Sequence, residues 1–262
     1  MATGTVTEQG SKRRIELPGR TLRQDRWWVS PLITFLVLLS FIVYATVAAF
    51  ANKNYYKAPY ISPFYSPCIA ANCMSPKVAL IGDWWKLSPA LLILIFPLGF
   101  RMTCYYYRKA YYRAFWQSPP ACAVSEPRKR YSGETRFPLI LQNTHRYWFY
   151  AGLVFNVILT YDALVAFDFD GEFGMGVGTV VLLINATLLW LYSMSCHSCR
   201  HILGGRLNNF SKHPVRYWMW GQVSKLNARH MQLAWASLIF VALTDLYVRL
   251  VASNTITDLR FF

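Results

Sequence analysis

Negative charge is what this sequence has least of. Only 12 Asp and Glu stand against 27 Lys and Arg in 262 residues, and charged residues of both signs make up 15% of the chain. Hydrophobic residues make up 55% and aromatics 17%, with a mean hydropathy of +0.24; that excludes an ordinary soluble domain of this size. A net charge of +15 often signals nucleic acid or anionic lipid. Here the basic residues sit in the connections between apolar runs, where membrane topology accounts for them, and no nucleic-acid partner is expected. Charge is also scarce in the middle of those runs, which argues against a stand-alone transporter, whose pathway would need it. No cleavable signal peptide is expected: the first 26 residues are polar, with Arg13, Arg14, Arg20, Arg23 and Arg26, and the apolar run that follows is long enough to stay in the bilayer.

What is present reads as an all-α integral membrane protein. A helix needs about 20 mostly apolar residues to cross the hydrocarbon core, and five segments qualify, at about 28–51, 84–104, 147–167, 179–196 and 230–251. They form one five-helix membrane domain over 28–262, preceded by a basic arm at 1–27. The second is expected to kink at Pro89 and Pro97. Alternate connections differ sharply in Lys and Arg. The arm, 101–146 and 196–229 carry 21, while the opposite side carries 6. The positive-inside rule therefore places the N-terminus in the cytoplasm and the C-terminus outside. Mid-span Ser40, Asn156 and Asn185 are expected to hydrogen-bond between helices. Asp162 and Asp245, toward the outer helix ends, are expected to be wet, Asp245 lying four residues before Arg249.

The six cysteines divide by side. Cys68 and Cys73 fall in an outer loop, where an oxidising exterior permits a disulfide. Cys104, Cys122, Cys196 and Cys199 fall on the reducing side, where metal ligation is the better expectation for a cysteine cluster. Cys122, in a Pro-Pro-Ala-Cys stretch, is expected to be a plain buried thiol. Cys104 ends the second segment, His145 opens the third, Cys196 and Cys199 close the fourth, and His230 opens the fifth. Because successive helices alternate in direction, these ends meet in one leaflet, as in helix bundles that build cofactor sites from facing helices. Four of these five residues suffice for a metal centre. His197 and His201 are alternates, expected on different sides of a continued helix, and His213 is expected to be solvated. Two thiolates and two imidazoles are compatible with a Rieske-type [2Fe–2S] cluster or a tetrahedral zinc ion, and a histidine pair alone with b haem. A redox centre just inside the membrane suggests electron transfer.

Several segments together resemble one known family. Five spans, Thr-Cys-Tyr-Tyr-Tyr-Arg at 103–108, Gln-Asn-Thr-His-Arg-Tyr at 142–147, Ser-Cys-His-Ser-Cys-Arg-His at 195–201 and Asn-Ala-Arg-His-Met-Gln at 227–232 are similar to the membrane anchor of actinobacterial, mycobacterial-type succinate dehydrogenase, respiratory complex II. The resemblance covers nearly the whole chain beyond the arm. It implies a multi-pass subunit of a bacterial plasma membrane, with flavoprotein and iron–sulfur partner subunits on the cytoplasmic face. It also implies reduction of a quinone, menaquinone or ubiquinone, with no succinate chemistry on this chain. Related anchors carry two b haems at two depths, but here every histidine lies toward one side. That departure favours a Rieske-type cluster, as this branch of the family is thought to use. A quinone would need an apolar slot with one or two donors, for which Trp28, Ser30, Tyr105 and Tyr106 lie near the right depth. Arg101, Arg108, Arg146 and Arg229 flank the ligand positions, where they are expected either to offset a cluster's negative charge or to bind lipid phosphate; lipid and topology explain most of them.

Overall fold

The computed structural model describes residues 21–74, 80–82, 84–127, 140–205 and 207–262; most of the basic arm therefore lies outside the described residues. Four helices are long and apolar enough to cross a membrane: α1 (Val29–Ala51), α5 (His145–Val165), α6 (Val177–Met194) and α9 (His230–Ala252). At 1.5 Å per residue, the 23 residues of α1 and of α9 run about 34 Å, enough for the hydrocarbon core. α1 ends at Asn52, which takes the left-handed conformation at φ 45° that commonly terminates helices.

The second expected span is corrected. In place of one helix over 84–104, the chain forms α2 (Ala90–Ile93) and α3 (Ile95–Thr103), then turns by 79° into α4 (Tyr105–Tyr111) and a π-turn at Tyr112–Trp116. Residues 90–103 rise only about 21 Å, short of the core thickness, so this segment is a broken span or a re-entrant loop, and the chain has four or five crossings by length and composition. Pro97 has no N–H to offer the Ile93 carbonyl, and the helix is interrupted at Leu94. The sharp bend is not at either proline. It is at Cys104, an extended residue (φ −63°, ψ 129°) between two helices.

One end of the bundle is closed by hairpins. β1 (Tyr56–Lys57) pairs with β2 (Tyr60–Ile61), and the loop beyond carries the Cys68–Cys73 disulfide. β3 (Asp168–Phe169) pairs with β4 (Glu172–Phe173) through Asp170 and Gly171, both at positive φ, the two-residue turn whose twist suits a hairpin. The short link makes α5 and α6 antiparallel neighbours. The C-terminal tail returns to this end. Asp258 accepts from the Gly178 amide at 2.9 Å and from the Tyr60 hydroxyl at 2.7 Å, placing a carboxylate at the start of α6, where the helix dipole favours it. Burial pushes the Tyr60 phenol up to about 12.

Asp245 is not at a wet helix end. It is fully buried; Tyr44 donates to it at 2.5 Å, Arg249 at 2.7 Å, and Ser62 closes the set. Arg249 also reaches the carbonyls of Ala48 and Lys53, each at 2.9 Å, so one ion pair ties α1, the first hairpin loop and α9. Asp162 is only half-exposed, with Oδ2 sealed from solvent. Asn156 does bridge helices, donating to Ser193 at 2.9 Å. Ser40, by contrast, lies exposed, and the Asn185 carbonyl oxygen is buried with no partner among the described residues.

Candidate metal centre

At the opposite end of the bundle lie two thiols built alike. Cys104 separates α3 from α4. Cys196 separates α6 from α7 (His197–Gly204) at φ −67°, ψ 144°, nearly the Cys104 conformation. Both are almost completely buried, at 2% and 1% exposure. The likeness extends to sequence. Phe100-Arg-Met-Thr-Cys-Tyr-Tyr-Tyr-Arg108 aligns without gaps on Tyr192-Ser-Met-Ser-Cys-His-Ser-Cys-Arg200, and each stretch is followed by a helix that opens on histidine. The site is therefore an internal repeat, assembled face to face.

The pairing crosses between the halves. Cys104 Sγ lies 3.3 Å from Nε2 of His230, and Cys196 Sγ lies 3.1 Å from Nε2 of His145. The other nitrogen of each ring meets the hydroxyl that precedes a cysteine: His145 Nδ1 is 2.8 Å from Thr103 Oγ1, and His230 Nδ1 is 2.7 Å from Ser195 Oγ. Each hydroxyl has one proton, and each gives it to its own helix, Thr103 to the Gly99 carbonyl and Ser195 to the Tyr192 carbonyl, both at 2.7 Å. Both hydroxyls must then accept from Nδ1–H. That assigns the proton to Nδ1 and leaves the Nε2 lone pair facing the thiol of the other half.

Aromatic rings fix the imidazole planes from the membrane side. His145 stacks on Phe100 (centroids 5.1 Å, 12° between planes) and His230 on Tyr192 (5.3 Å, 12°), while Phe100 and Tyr192 meet at 5.3 Å. Both cysteines belong to the buried cluster these rings dominate. The set suits a soft metal centre: two thiols and two unprotonated imidazole nitrogens, each ring oriented by a second partner, in a dry pocket. Among the described residues the ligands approach as two Cys–His pairs, and no three or more His, Cys, Asp or Glu side chains close into a cage for one ion.

The remaining expected residues separate from this core. Cys199 packs against the same cluster half-buried, burial pushes its thiol up, and it contacts neither His145 nor His230 among the described hydrogen bonds. His197 and His201 do not point to different sides: four residues apart on α7, their rings pack edge to face at 5.8 Å, since four residues are close to one turn. Burial, with His201 and Arg200 nearby, holds His197 below the usual histidine range. His213 is exposed, as expected. Cys122 is exposed rather than buried, in a loop whose carbonyls accept from Thr21 and Arg23.

Arg146 and Arg229 are exposed, and Arg108 lies over the Tyr105 ring at 4.6 Å. Arg101 turns inward instead, donating to the Tyr107 and Ser237 hydroxyls, each at 2.8 Å. Next to the centre, a groove of about 550 Å³ runs between α1 and α9, lined by Arg26, Ser30, Ile33, Thr34, Trp235 and Ile239 among others. Trp235 donates to the Tyr106 hydroxyl at 2.5 Å, connecting groove and centre two residues from Cys104. Of the quinone candidates, Ser30 lines this groove and Tyr106 stands behind it. Trp28 and Tyr105 are exposed and do not line it.

Thr103, Ser195, Phe100 and Tyr192 were not among the residues singled out from the sequence. The internal repeat is the signal that points to them, because it places a hydroxyl and an aromatic ring at the same offsets from each cysteine.

The family model described as actinobacterial succinate dehydrogenase subunit SdhC matches residues 29–254. A chain in the solved structure of the Mycobacterium smegmatis Sdh1 complex in the apo form is 56% identical, with a TM-score of 0.86 over 96% of this chain and 98% of that one. No curated protein matches. The matched segment contains Cys104, His145, Cys196 and His230 and both halves of the repeat that positions them, and the chain belongs to the actinobacterial succinate dehydrogenase SdhC family, the membrane subunit of that complex.

Proposed function

We propose that this subunit carries electrons from a soluble iron–sulfur partner, itself fed by a flavoprotein partner, through a membrane-embedded Rieske-type [2Fe–2S] centre to a quinone. The observation that supports it best is the reciprocal Cys–His pairing: Cys104, His145, Cys196 and His230 would hold the cluster. A cluster so ligated supplies one-electron transfer at a potential raised by its imidazoles. The protein's own part is to orient both rings through Thr103 and Ser195, to exclude water with Phe100, Tyr192 and Phe149, and to hold quinone in the groove behind Tyr106 and Trp235.

A Rieske-type cluster would take both thiols on one iron and both imidazoles on the other, drawing on both pairs, whereas a single zinc ion would need all four groups to close on one point. Haem fits less well, since each Nε2 that would take the axial position already faces a sulfur within 3.3 Å. The basic connections support a cytoplasmic position for this end, where the soluble subunits would dock, with the disulfide and the C-terminus outside.

The purified complex tests this. Iron and acid-labile sulfide in equal amounts beyond those of the soluble subunits, with an imidazole-ligated EPR signal and no haem alpha band, are expected. In His230→Ala, the signal and quinone reduction disappear while succinate oxidation by an artificial acceptor persists. Normal quinone reduction in that variant would remove His230 from the ligand set.

A further inference from the structure

From the aromatic ring through the cysteine, 100–104 and 192–196, the two halves match in chemical kind at every position but one. Position three before each cysteine is Arg101 in one half and Ser193 in the other. Ser193 is buried and accepts from Asn156, so this position is neutral in that half. Arg101 is held by two hydroxyls, Tyr107 and Ser237, and its guanidinium lies over the Tyr192 ring at 4.8 Å and near the Tyr107 ring at 5.8 Å. Tyr192 in turn stacks on His230. Among the described residues no carboxylate pairs with Arg101; the described ion pairs are those of Arg23 and Arg249. A guanidinium packed among aromatic rings in a membrane bundle without a counter-ion is costly, unless an anion belongs beside it. Among the described residues, the neighbouring groups that become anionic on metal binding are the thiols, and Cys104 is close enough to feel the Arg101 charge.

We propose that Arg101 is the electrostatic partner of the metal centre and raises its reduction potential, making electron arrival from the soluble clusters more favourable. The inference rests on the cluster reading above. Reduction would add one electron from the soluble clusters and no proton, so the charge of the centre would become more negative by one beside the Arg101 guanidinium. A fixed positive charge beside the centre in a poorly screened interior stabilises the reduced form over the oxidised one. Arg101 acts through Tyr192 and space, and it touches none of the four ligand atoms in the described hydrogen bonds. It is a tuning residue rather than a ligand.

The experiment is an EPR-monitored redox titration of the membrane centre in the purified complex, comparing wild type with Arg101→Gln, Arg101→Lys and the double variant Tyr107→Phe/Ser237→Ala. Arg101→Gln is expected to keep iron, sulfide and the signal but to titrate at lower potential. Arg101→Lys stays closer to wild type, and the double variant, which frees the guanidinium from its anchors, shifts down by less than Arg101→Gln. An unchanged potential in Arg101→Gln overturns the proposal, as does a shift in Arg101→Lys as large as that in Arg101→Gln. Should Arg101→Gln fail to assemble, the double variant decides: a potential equal to wild type overturns the inference. If the wild-type complex has no such signal, the cluster reading itself has failed, a result distinct from a signal that ignores Arg101.

Discussion

Nε2 of His145 faces the sulfur of Cys196 at 3.1 Å, although 51 residues separate them, and the relation is repeated by His230 and Cys104 at 3.3 Å across 126 residues. Each histidine is oriented by the half that contributes Thr103 or Ser195 and aimed at a thiol: His145 by Thr103 toward Cys196, His230 by Ser195 toward Cys104. Neither half holds a complete site, so α3, α5, α6 and α9 must all be in register before any metal can be gripped. That couples metal binding to assembly of the bundle, as in other sites whose ligands come from separate elements.

Thr103→Val and Ser195→Ala should each loosen one imidazole and allow the wrong tautomer. Outer-shell partners of ligating histidines typically contribute about 10–100-fold in metal affinity. Partial loss of iron on mild chelation is therefore expected in both variants, with retention in the swaps Thr103→Ser and Ser195→Thr. Iron content after timed exposure to chelator measures this; equal retention in Thr103→Val and wild type would remove the hydroxyl from the design.

The spans were legible because they are long and apolar, and α9 begins at the residue expected for it. Convergence of Cys104, His145, Cys196 and His230 was legible too, because alternating helices bring every second end together. The break at Cys104 was not. Pro89 and Pro97 drew the kink toward themselves, whereas the bend uses an extended cysteine that no local propensity marks. Asp245 was misplaced, and the inward turn of Arg101 went unmarked, for a shared reason. Charge near a helix end is normally wet, and only tertiary partners (Tyr107 and Ser237 for one, Tyr44 and Ser62 for the other) make burial tolerable. The repeat around Cys104 and Cys196 was visible in the sequence, but its meaning depends on the histidine that each hydroxyl orients.

Asp245 should matter to stability and not to electron transfer. Removing one partner of a buried ion pair costs about 3–5 kcal/mol, and Asp245→Ala leaves the Arg249 guanidinium with only backbone acceptors. A clear fall in the thermal midpoint of the detergent-solubilised complex is expected, smaller in Asp245→Asn, which retains shape and part of the hydrogen bonding. The EPR signal should be unchanged before melting, because this pair joins α1 and α9 at the end of the bundle away from Cys104 and Cys196.

Orientation is open to a direct chemical test. The exposed last residue, Phe262, sits at the hairpin end, and the exposed thiol of Cys122 sits with the arm at the other. In wall-stripped cells, an impermeant maleimide should label Phe262→Cys in a Cys122→Ser background without lysis. Labelling that appears only after the membrane is opened would invert the topology and with it the cytoplasmic placement of the metal centre.

Quinone chemistry should be separable from the centre by filling the groove. Ile239 lines it on α9, facing Ser30 and Ile33 of α1 across the gap, and it contacts neither ligand pair in the described hydrogen bonds. Replacing it with tryptophan adds an indole to a slot about the size a quinone ring and its first isoprene need. Ile239→Trp is expected to reduce quinone reduction at least tenfold, while succinate oxidation by an artificial acceptor, iron content and the EPR signal stay at wild-type levels. Loss of the signal as well would mean that the substitution has distorted Trp235 and Tyr106 and reached Cys104. Full quinone reduction with the groove filled would move the quinone elsewhere on the bundle, because an occupied slot cannot also bind substrate.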